Sequence, residues 1–187
     1  VRETVRGFAQ DRVKPNAFAY EQARSFPPEL FLEMAELGMM GMIAPEDHGG
    51  VGLDSVSYAL ALIELAAGDG ALSTIVSIHN SLIVTALLKY GTDAQRDRFL
   101  PMLVSGQGTG AFALTETDAG SDASAMRTRA VRVDGGWRIT GSKQFITSGR
   151  IAKFAIIFAV TDPDAGKRGI SAFLVPTDTP GYAVDKV

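Results

Sequence analysis

The chain has 187 residues, of which 46% are hydrophobic and 21% are charged, and its formal net charge is −3. This composition is typical of a soluble globular protein with one large domain or two small ones, and the small negative charge gives no general attraction to nucleic acid. Because the chain has no cysteine and only two histidines, and no apolar run approaches the ~18 residues of a membrane helix, we expect no disulfide, no metal site and no membrane span.

Helical periodicity dominates the first half of the chain. Apolar residues at three- and four-residue spacing predict a series of amphipathic or buried helices. The first is expected to end at Pro15, and the second to begin at Pro28. Thr92 and Gln95 form a capping box that begins the last of the series. We therefore expect an all-α domain over residues 1–107.

The fourth predicted helix covers about residues 73–90 and is apolar almost all round, which is typical of a buried helix. Its middle carries three polar residues, His79, Asn80 and Ser81. Buried polar groups require hydrogen-bonding partners. Two interpretations remain open: the three side chains bond to neighbouring helices, or they face a ligand channel.

The periodicity changes at the glycine-rich residues 105–108. Beyond this point β-prone segments dominate, and Asp134-Gly135-Gly136 is a strong signal for an antiparallel hairpin. The sequence predicts strands at residues 111–114, 129–133, 137–140, 144–147, 154–160 and 170–175. A helical part followed by a β part predicts an α+β protein with a second domain at residues 108–187.

Two segments of the β part turn polar after an apolar or β-prone start. Residues 111–122, AFALTETDAGSD, end in hydroxyls and a glycine, a pattern that gathers backbone N–H groups into an anion-binding concavity. An ordinary strand with a polar turn has the same pattern. Residues 141–149, GSKQFITSG, could present the hydroxyls of Thr147 and Ser148 and the aromatic face of Phe145 to a ligand. The alternative interpretation is a strand whose side chains alternate between core and solvent.

Together these two segments resemble the two flavin-binding signatures of the acyl-CoA dehydrogenase family. Residues 45–54, 80–82 and 166–173 also fit the family pattern, so the resemblance covers essentially the whole chain. Thr117 stands where proline is usual in the first signature, which loosens the turn but removes no ligand group. The resemblance implies an N-terminal all-α helical domain and an antiparallel, β-barrel-like middle domain that is truncated, with the C-terminal helical bundle of the family absent.

The resemblance also implies a reaction and its partners. An acyl-CoA substrate is oxidised to the trans-2,3-enoyl-CoA in fatty acid or branched-chain amino acid catabolism, with FAD as the cofactor. A glutamate removes the α-proton, and the β-hydrogen passes to the flavin as hydride. Electron-transfer flavoprotein is the implied acceptor, and the complete protein is expected to be a homo-oligomer, a tetramer. The implied location is the cytoplasm of a bacterium or the mitochondrial matrix of a eukaryote.

Residues at the positions that match the family's motifs are expected to have the family's binding roles. The resemblance implies that Thr147 hydrogen-bonds the flavin nitrogen that accepts hydride, that Phe145 packs on the flavin ring, and that Ser121 lies near both the pyrophosphate and CoA. Asn80 is a further candidate for substrate contact. The implied cofactor-binding residues are Phe112, Ala113, Leu114, Thr115, Gly120, Ser121, Phe145, Ile146 and Thr147.

Glu116 lies inside the first signature and is the acid that invites assignment as the catalytic base. In the resembled family the base belongs to a C-terminal domain. We therefore expect no catalytic residue in this chain, a structural role for Glu116, and no turnover by the 187-residue chain alone. A related flavin oxidase or monooxygenase, and a non-catalytic acyl-CoA-binding module, are the alternative functions.

Overall fold

A computed structural model describes residues 1–185 of the chain. Contacts divide it into two compact units, the first ending at Thr109 and the second beginning at Gly110. The first unit contains the helices α1 Arg2–Phe8, α2 Ala17–Ala23, α3 Pro28–Glu36, α4 Ser55–Gly68, α5 Gly70–Ile78, α6 Thr85–Tyr90 and α7 Asp93–Val104. The second contains the strands β1 Gly110–Ala113, β2 Arg129–Val133, β3 Gly136–Thr140, β4 Phe154–Val160 and β5 Ile170–Pro176. The predicted α+β class is confirmed.

The helical backbone continues through Pro15, where the sequence predicted the end of the first helix; that prediction was wrong. A wide π-helical turn at Ala9–Val13 and a tight turn at Lys14–Asn16 connect α1 to α2. In a regular helix the proline ring clashes with the carbonyl four residues earlier. We attribute the continuation to the wide turn, which displaces that carbonyl from its usual position.

A second π-helical turn, His79–Val84, joins α5 and α6 into one helical segment that ends before Gly91. The predicted fourth helix is thus confirmed, and it begins at Gly70. By length and composition the segment Gly70–Tyr90 would suffice to cross a membrane, but 44% of its most apolar window is buried inside the protein. A core helix passes the same test, and Leu72 and Val76 of this segment lie in the hydrophobic core of the first unit.

Side chains cap three of these helices. Asp54 accepts hydrogen bonds from the first turn of α4, and Asp69 from the first turn of α5. The predicted capping box of Thr92 and Gln95 is present at the start of α7. Each cap satisfies backbone donors that have no partner within the helix, which fixes where α4, α5 and α7 begin.

The strands of the second unit form a mixed sheet around β4. β5 pairs with β4 in the antiparallel direction. β1 pairs with β4 in the parallel direction, with Gly110 opposite Phe154. The start of β2 also pairs with the end of β4 in parallel, through Arg129 and Val160. β2 and β3 form the predicted hairpin, with Val133 opposite Gly136. The prediction of an antiparallel, barrel-like domain was therefore wrong about strand directions, and the sheet of the described residues is not closed. Turn signals fix only the direction of consecutive strands, and β1 and β4 are separated by about 40 residues.

Candidate functional site

The first signature leaves the sheet at Ala113, the last residue of β1. Leu114 and Thr115 are half-buried, and the next residues form a closed turn in which Glu116 and Ala119 exchange two backbone hydrogen bonds of 3.1 and 3.2 Å. Gly120 beyond this turn is exposed, and a Cβ added to it would meet no atom within 4 Å. The end of the first signature is therefore open to a ligand.

Phe112 and Ser121 occupy opposite ends of this segment. The Phe112 ring, in the middle of β1, packs against Phe158 of β4 with ring centroids 5.0 Å apart. Ser121 is exposed. The carboxylate of Asp122 accepts hydrogen bonds from the backbone N–H and the hydroxyl of Ser124, which holds the exposed end of the segment in a turn.

The second signature is a turn, so the prediction of a strand at residues 144–147 was wrong. Phe145 has φ +56° and Ser148 has φ +62°, the left-handed region that side chains other than glycine rarely adopt. The N–H of Gly149 donates to the carbonyl of Ile146 at 3.0 Å, which closes the turn. Phe145 is 88% exposed. The geometry thus presents an aromatic ring to the outside, with the half-buried Thr147 two residues further along.

Residues of the second signature bond directly to residues of the first. Lys143 Nζ donates to the carbonyl of Leu114 at 3.0 Å and to Glu116 Oε1 at 2.8 Å. The N–H of Gln144 donates to the carbonyl of Thr115 at 2.9 Å. The structure therefore places Leu114 and Thr115 of the first segment directly beside the start of the second segment, within the second unit.

The Glu116 carboxylate is buried and engaged by three donors. Besides Lys143, the backbone N–H groups of Arg127 and Thr128 donate to it at 2.6 and 3.0 Å. Burial alone raises the pKa of Glu116, but the hydrogen bonds from Lys143, Thr128 and Arg127 outweigh it and lower the pKa to about 2. A carboxylate of such low basicity and with this many partners is a poor proton acceptor, which favours the structural role.

Lys143 and Gln144 were not among the residues that the sequence singled out. The Glu116 side chain is only 8% exposed. A carboxylate directly after an apolar strand needs a partner if it is buried, and that rule points to a nearby cation. The chain has several lysines and arginines that could be this partner, so only the folded structure identifies Lys143.

Asn80 lies in the first unit and is completely buried. Its Oδ1 accepts from the N–H of Met42 at 2.9 Å, and its Nδ2 donates to the carbonyls of Met39 at 2.9 Å and Val76 at 3.0 Å. Since both amide hydrogens are used, the contacts favour the structural interpretation of this polar cluster over contact with a substrate. Ser81 is exposed and donates to the carbonyl of Ser77 in the preceding turn.

His79 is the neighbour of Asn80 in the same buried cluster. Its Nε2 donates to the carbonyl of Met40 at 3.0 Å. Burial lowers the pKa of His79 to about 4, against the opposing effect of the Met40 and Leu103 carbonyls, so the imidazole is neutral at pH 7. Together His79 and Asn80 attach the short 3-10 helical turn Met39–Gly41, and Met42 after it, to the long helical segment; residues 39–42 are called a loop below.

Sequence models of one family match both units. The model for the N-terminal domain of acyl-CoA dehydrogenase matches residues 1–107, and that for the middle domain matches residues 111–187. An acyl-CoA dehydrogenase of Bacillus subtilis is 43% identical over 186 residues, which are 100% of this chain and 49% of the relative. The chain thus spans about half the length of the curated relatives it matches, which include bacterial proteins and plant proteins named as mitochondrial.

Solved structures agree with the sequence comparison. A glutaryl-CoA dehydrogenase from Mycobacterium smegmatis in complex with FADH2 has a TM-score of 0.92 and 40% identity, covering 100% of this chain and 47% of that one. A prolyl acyl carrier protein oxidase has a TM-score of 0.86 and 33% identity, covering 96% of this chain and 48% of that one. With both domain models matched and the fold shared, this chain belongs to the acyl-CoA dehydrogenase family.

Proposed function

We propose that the complete protein is an FAD-dependent oxidoreductase that converts an acyl-CoA thioester to the trans-2,3-enoyl-CoA. In this proposal residues 1–107 are the N-terminal helical domain and residues 108–187 belong to the flavin-binding middle domain, which further chain would complete into the barrel-like form. Family membership supports the proposal. The observation that carries it within the molecule is the turn that holds Phe145.

Phe145 combines two unfavourable properties. The residue is 88% exposed to water, and its backbone has φ +56°. A non-glycine residue in this region costs of order 1 kcal/mol or more, and such residues cluster at ligand sites where the surrounding structure maintains them. A planar ring packed on Phe145 would remove its apolar surface from water and offset that cost. The flavin ring fits this requirement.

Polar groups of the two signatures fit the remaining parts of FAD. Thr147 offers a hydroxyl to the ring, and Gly120 and Ser121 offer an open, polar turn to the pyrophosphate and to CoA. The half-buried Leu114 and Thr115 lie beside the second signature through their bonds to Lys143 and Gln144. The full proposed set of flavin contacts is Phe112, Ala113, Leu114, Thr115, Gly120, Ser121, Phe145, Ile146 and Thr147.

The proposed chemistry divides between the cofactor and the protein. Bound FAD supplies the hydride acceptor for the β-carbon of the acyl group. Thr147 would donate a hydrogen bond to the flavin ring, where a donor favours negative charge, and Phe145 would exclude water from one side of the ring. The Glu116 carboxylate is engaged by Lys143 and by the N–H groups of Arg127 and Thr128, so we propose that it does not remove the α-proton. The base is proposed to belong to the C-terminal domain of the complete protein, as the family resemblance implies. Within residues 1–185 the Asn80 side chain bonds to backbone groups of Met42, Met39 and Val76, and we propose a structural role for it.

Partners and location follow from family membership alone. We propose an acyl-CoA thioester as substrate, electron-transfer flavoprotein as the physiological electron acceptor, and a homo-oligomer, a tetramer, as the assembled form of the complete protein. A bacterial protein would act in the cytoplasm and a eukaryotic one in the mitochondrial matrix.

The experiment compares the complete protein with its Thr147→Val variant, which keeps the side-chain shape and deletes the hydroxyl. We expect the parent to retain stoichiometric FAD that is bleached by an acyl-CoA. In the variant the lost hydrogen bond, worth about 1–3 kcal/mol, should slow flavin reduction roughly 5- to 150-fold and lower the midpoint potential. Thr140→Val, at an exposed position of β3, is the control. A parent without FAD, or a Thr147→Val variant with unchanged potential and reduction rate, would contradict the proposal.

A flavin oxidase is the second candidate, because the prolyl acyl carrier protein oxidase shares this fold at 33% identity. The two functions differ in what reoxidises the flavin. Rapid reaction of the reduced enzyme with oxygen would favour the oxidase, whereas slow reaction with oxygen and fast transfer to electron-transfer flavoprotein would favour the dehydrogenase.

A further inference from the structure

We propose that Glu116 and Lys143 are positioning residues, which hold the two signature segments at the separation that the flavin requires. This inference rests on the proposed function, since it assigns a role to two residues at the proposed flavin site. Neither side chain is proposed to touch the flavin. They act through the backbone groups of the residues on either side of them.

Lys143 and Gln144 bind successive carbonyls of the first signature. Lys143 Nζ donates to the Leu114 carbonyl at 3.0 Å, the N–H of Gln144 donates to the Thr115 carbonyl at 2.9 Å, and Nε2 of Gln144 donates to the Glu116 carbonyl at 3.3 Å. Lys143 Nζ also forms an ion pair with Glu116 Oε1 at 2.8 Å, so these hydrogen bonds are accompanied by an attraction between opposite charges. Three consecutive residues of the first segment are therefore fixed to two consecutive residues of the second.

Glu116 extends the connection to a third segment. Its carboxylate accepts from the N–H groups of Arg127 and Thr128, directly before β2. Thr128 in turn packs closely on Gly141: a Cβ on Gly141 would lie 2.3 Å from Thr128 Oγ1 and 2.7 Å from Thr128 Cα. Because Gly141 lies two residues before Lys143, the chain reaches Lys143 from a position that is itself fixed against β2.

The ion pair is shielded from water. The exposed fraction of the side chain is 8% for Glu116 and 9% for Lys143. A buried pair has few alternative arrangements, because any displacement leaves a charge without its partner in a medium of low polarity. The pair therefore holds its geometry more tightly than an exposed ion pair such as Arg127–Asp118, whose side chains are 80% and 60% exposed.

The position of the pair in the sequence connects this rigidity to the flavin site. Thr115 and Glu116 are adjacent, and Lys143 lies two residues before Phe145 and four before Thr147. The turn at Phe145 has a backbone conformation that persists only where its surroundings fix it. A shift of about an ångström between the two segments would change the separation of Thr115 and Thr147, which are both proposed to bind the flavin, and such shifts are costly in cofactor sites.

The experiment uses the complete flavoprotein and four variants. Lys143→Met keeps the length of the side chain and removes its charge, Glu116→Gln removes the opposite charge, and the double variant removes both. Lys153→Met, at an exposed lysine directly before β4, is the charge-matched control. The measurements are the Kd for FAD, the flavin midpoint potential, the absorption spectrum of the bound flavin, and the thermal unfolding temperature.

We expect Lys143→Met and Glu116→Gln each to raise the Kd for FAD at least tenfold, to shift the midpoint potential and to alter the flavin spectrum. In the double variant the Kd for FAD should rise by less than the product of the two single-variant increases, because no unpaired buried charge remains. Lys153→Met should match the parent in all four measurements. If Lys143→Met does not fold, Lys143→Arg, which keeps the charge but changes the donor geometry, is compared with the parent by the same measurements.

Two outcomes overturn the inference and can be told apart. If the parent binds FAD, and the variants unfold at lower temperature with unchanged Kd, potential and spectrum, then the pair only stabilises the fold and the proposed function stands. If the parent binds no FAD, the proposed function fails and this inference fails with it.

Discussion

The two units each bury polar side chains next to one another, but the chemistry of the two clusters differs. In the first unit the neutral amide of Asn80 and the neutral imidazole of His79 bind backbone groups of the loop at residues 39–42. In the second unit the charged groups of Glu116 and Lys143 bind each other and the backbone of adjoining segments. Both clusters attach a loop to a regular element. The first cluster does so with neutral side chains and the second with charged ones.

This difference predicts how each cluster responds to change. A neutral cluster loses hydrogen bonds when one member is replaced, and each unsatisfied buried group costs about 1–3 kcal/mol. A buried ion pair loses more, because the remaining member becomes an isolated charge. The pH responses differ as well: His79 is affected by mild acid, whereas Glu116, with a pKa of about 2, is affected only by strong acid.

The largest effect is expected for Lys143→Met. This variant leaves the Glu116 carboxylate buried without its cation, at a cost of about 3–5 kcal/mol of local stability. Hydrogen exchange of the backbone amides of Arg127 and Thr128, which donate to Glu116, measures that stability directly. Lys153→Met serves as the control at an exposed lysine. Unchanged exchange at both amides in Lys143→Met would contradict the expectation that the charged cluster loses more stability than the neutral one.

Acid should reduce stability through His79 before it does so through Glu116. The pKa of His79 is lowered from 6.5 to about 4, so its contribution to stability is complete above pH 6.5 and is lost as the pH falls toward 4. The corresponding window for Glu116 runs from pH 4.5 down to about 2. By linkage, His79 should account for about 3 kcal/mol between pH 7 and pH 4.

The measurement for His79 compares the parent with His79→Gln, which does not titrate. The difference in free energy of unfolding between the two proteins should shrink steadily as the pH falls from 7 to 4, since only the parent loses stability through this imidazole. A difference that stays constant over this range would show that His79 titrates alike in the folded and unfolded protein.

Asn80→Ala is expected to have an intermediate effect. It leaves the N–H of Met42 and the carbonyls of Met39 and Val76 without their partner, at a cost of about 2 kcal/mol. Hydrogen exchange of the Met42 amide should accelerate roughly 30-fold, and Ser81→Ala, at an exposed neighbour in the same π-helical turn, should leave it unchanged. Retention of the parent's exchange rate in Asn80→Ala would mean that the amide does not hold the loop.

The sequence predicted the regular elements well and the polar connections poorly. The capping box at Thr92, the hairpin at Asp134-Gly135 and the long helix that ends at Tyr90 were all predicted, because each depends on residues close together in the chain. The direction of β1 relative to β4 was predicted wrongly, since no local signal specifies a pair about 40 residues apart. The partner of Glu116 was missed for the same reason.

The candidate site shows the same limit at a finer scale. Residues 144–147 have the composition of a strand, and periodicity alone placed Phe145 in one. The bonds of Lys143 and Gln144 to the first signature, together with the left-handed backbone at Phe145 and Ser148, impose a turn there. Tertiary contacts overrode local propensity at the position where the proposed cofactor contacts lie.

The smallest effect is expected for Arg127→Gln, which tests whether burial rather than charge distinguishes the second cluster. Arg127 forms an ion pair with Asp118 at 3.2 Å in the same loop as Glu116, but both side chains are largely exposed. Water and salt screen such pairs, so the loss should be about 0.5 kcal/mol or less. The backbone N–H of Arg127 remains and still donates to Glu116. If Arg127→Gln instead accelerated exchange of the Thr128 amide as strongly as Lys143→Met does, then the net charge of the loop, and not the shielded contact with Lys143, would be what holds Glu116 in place.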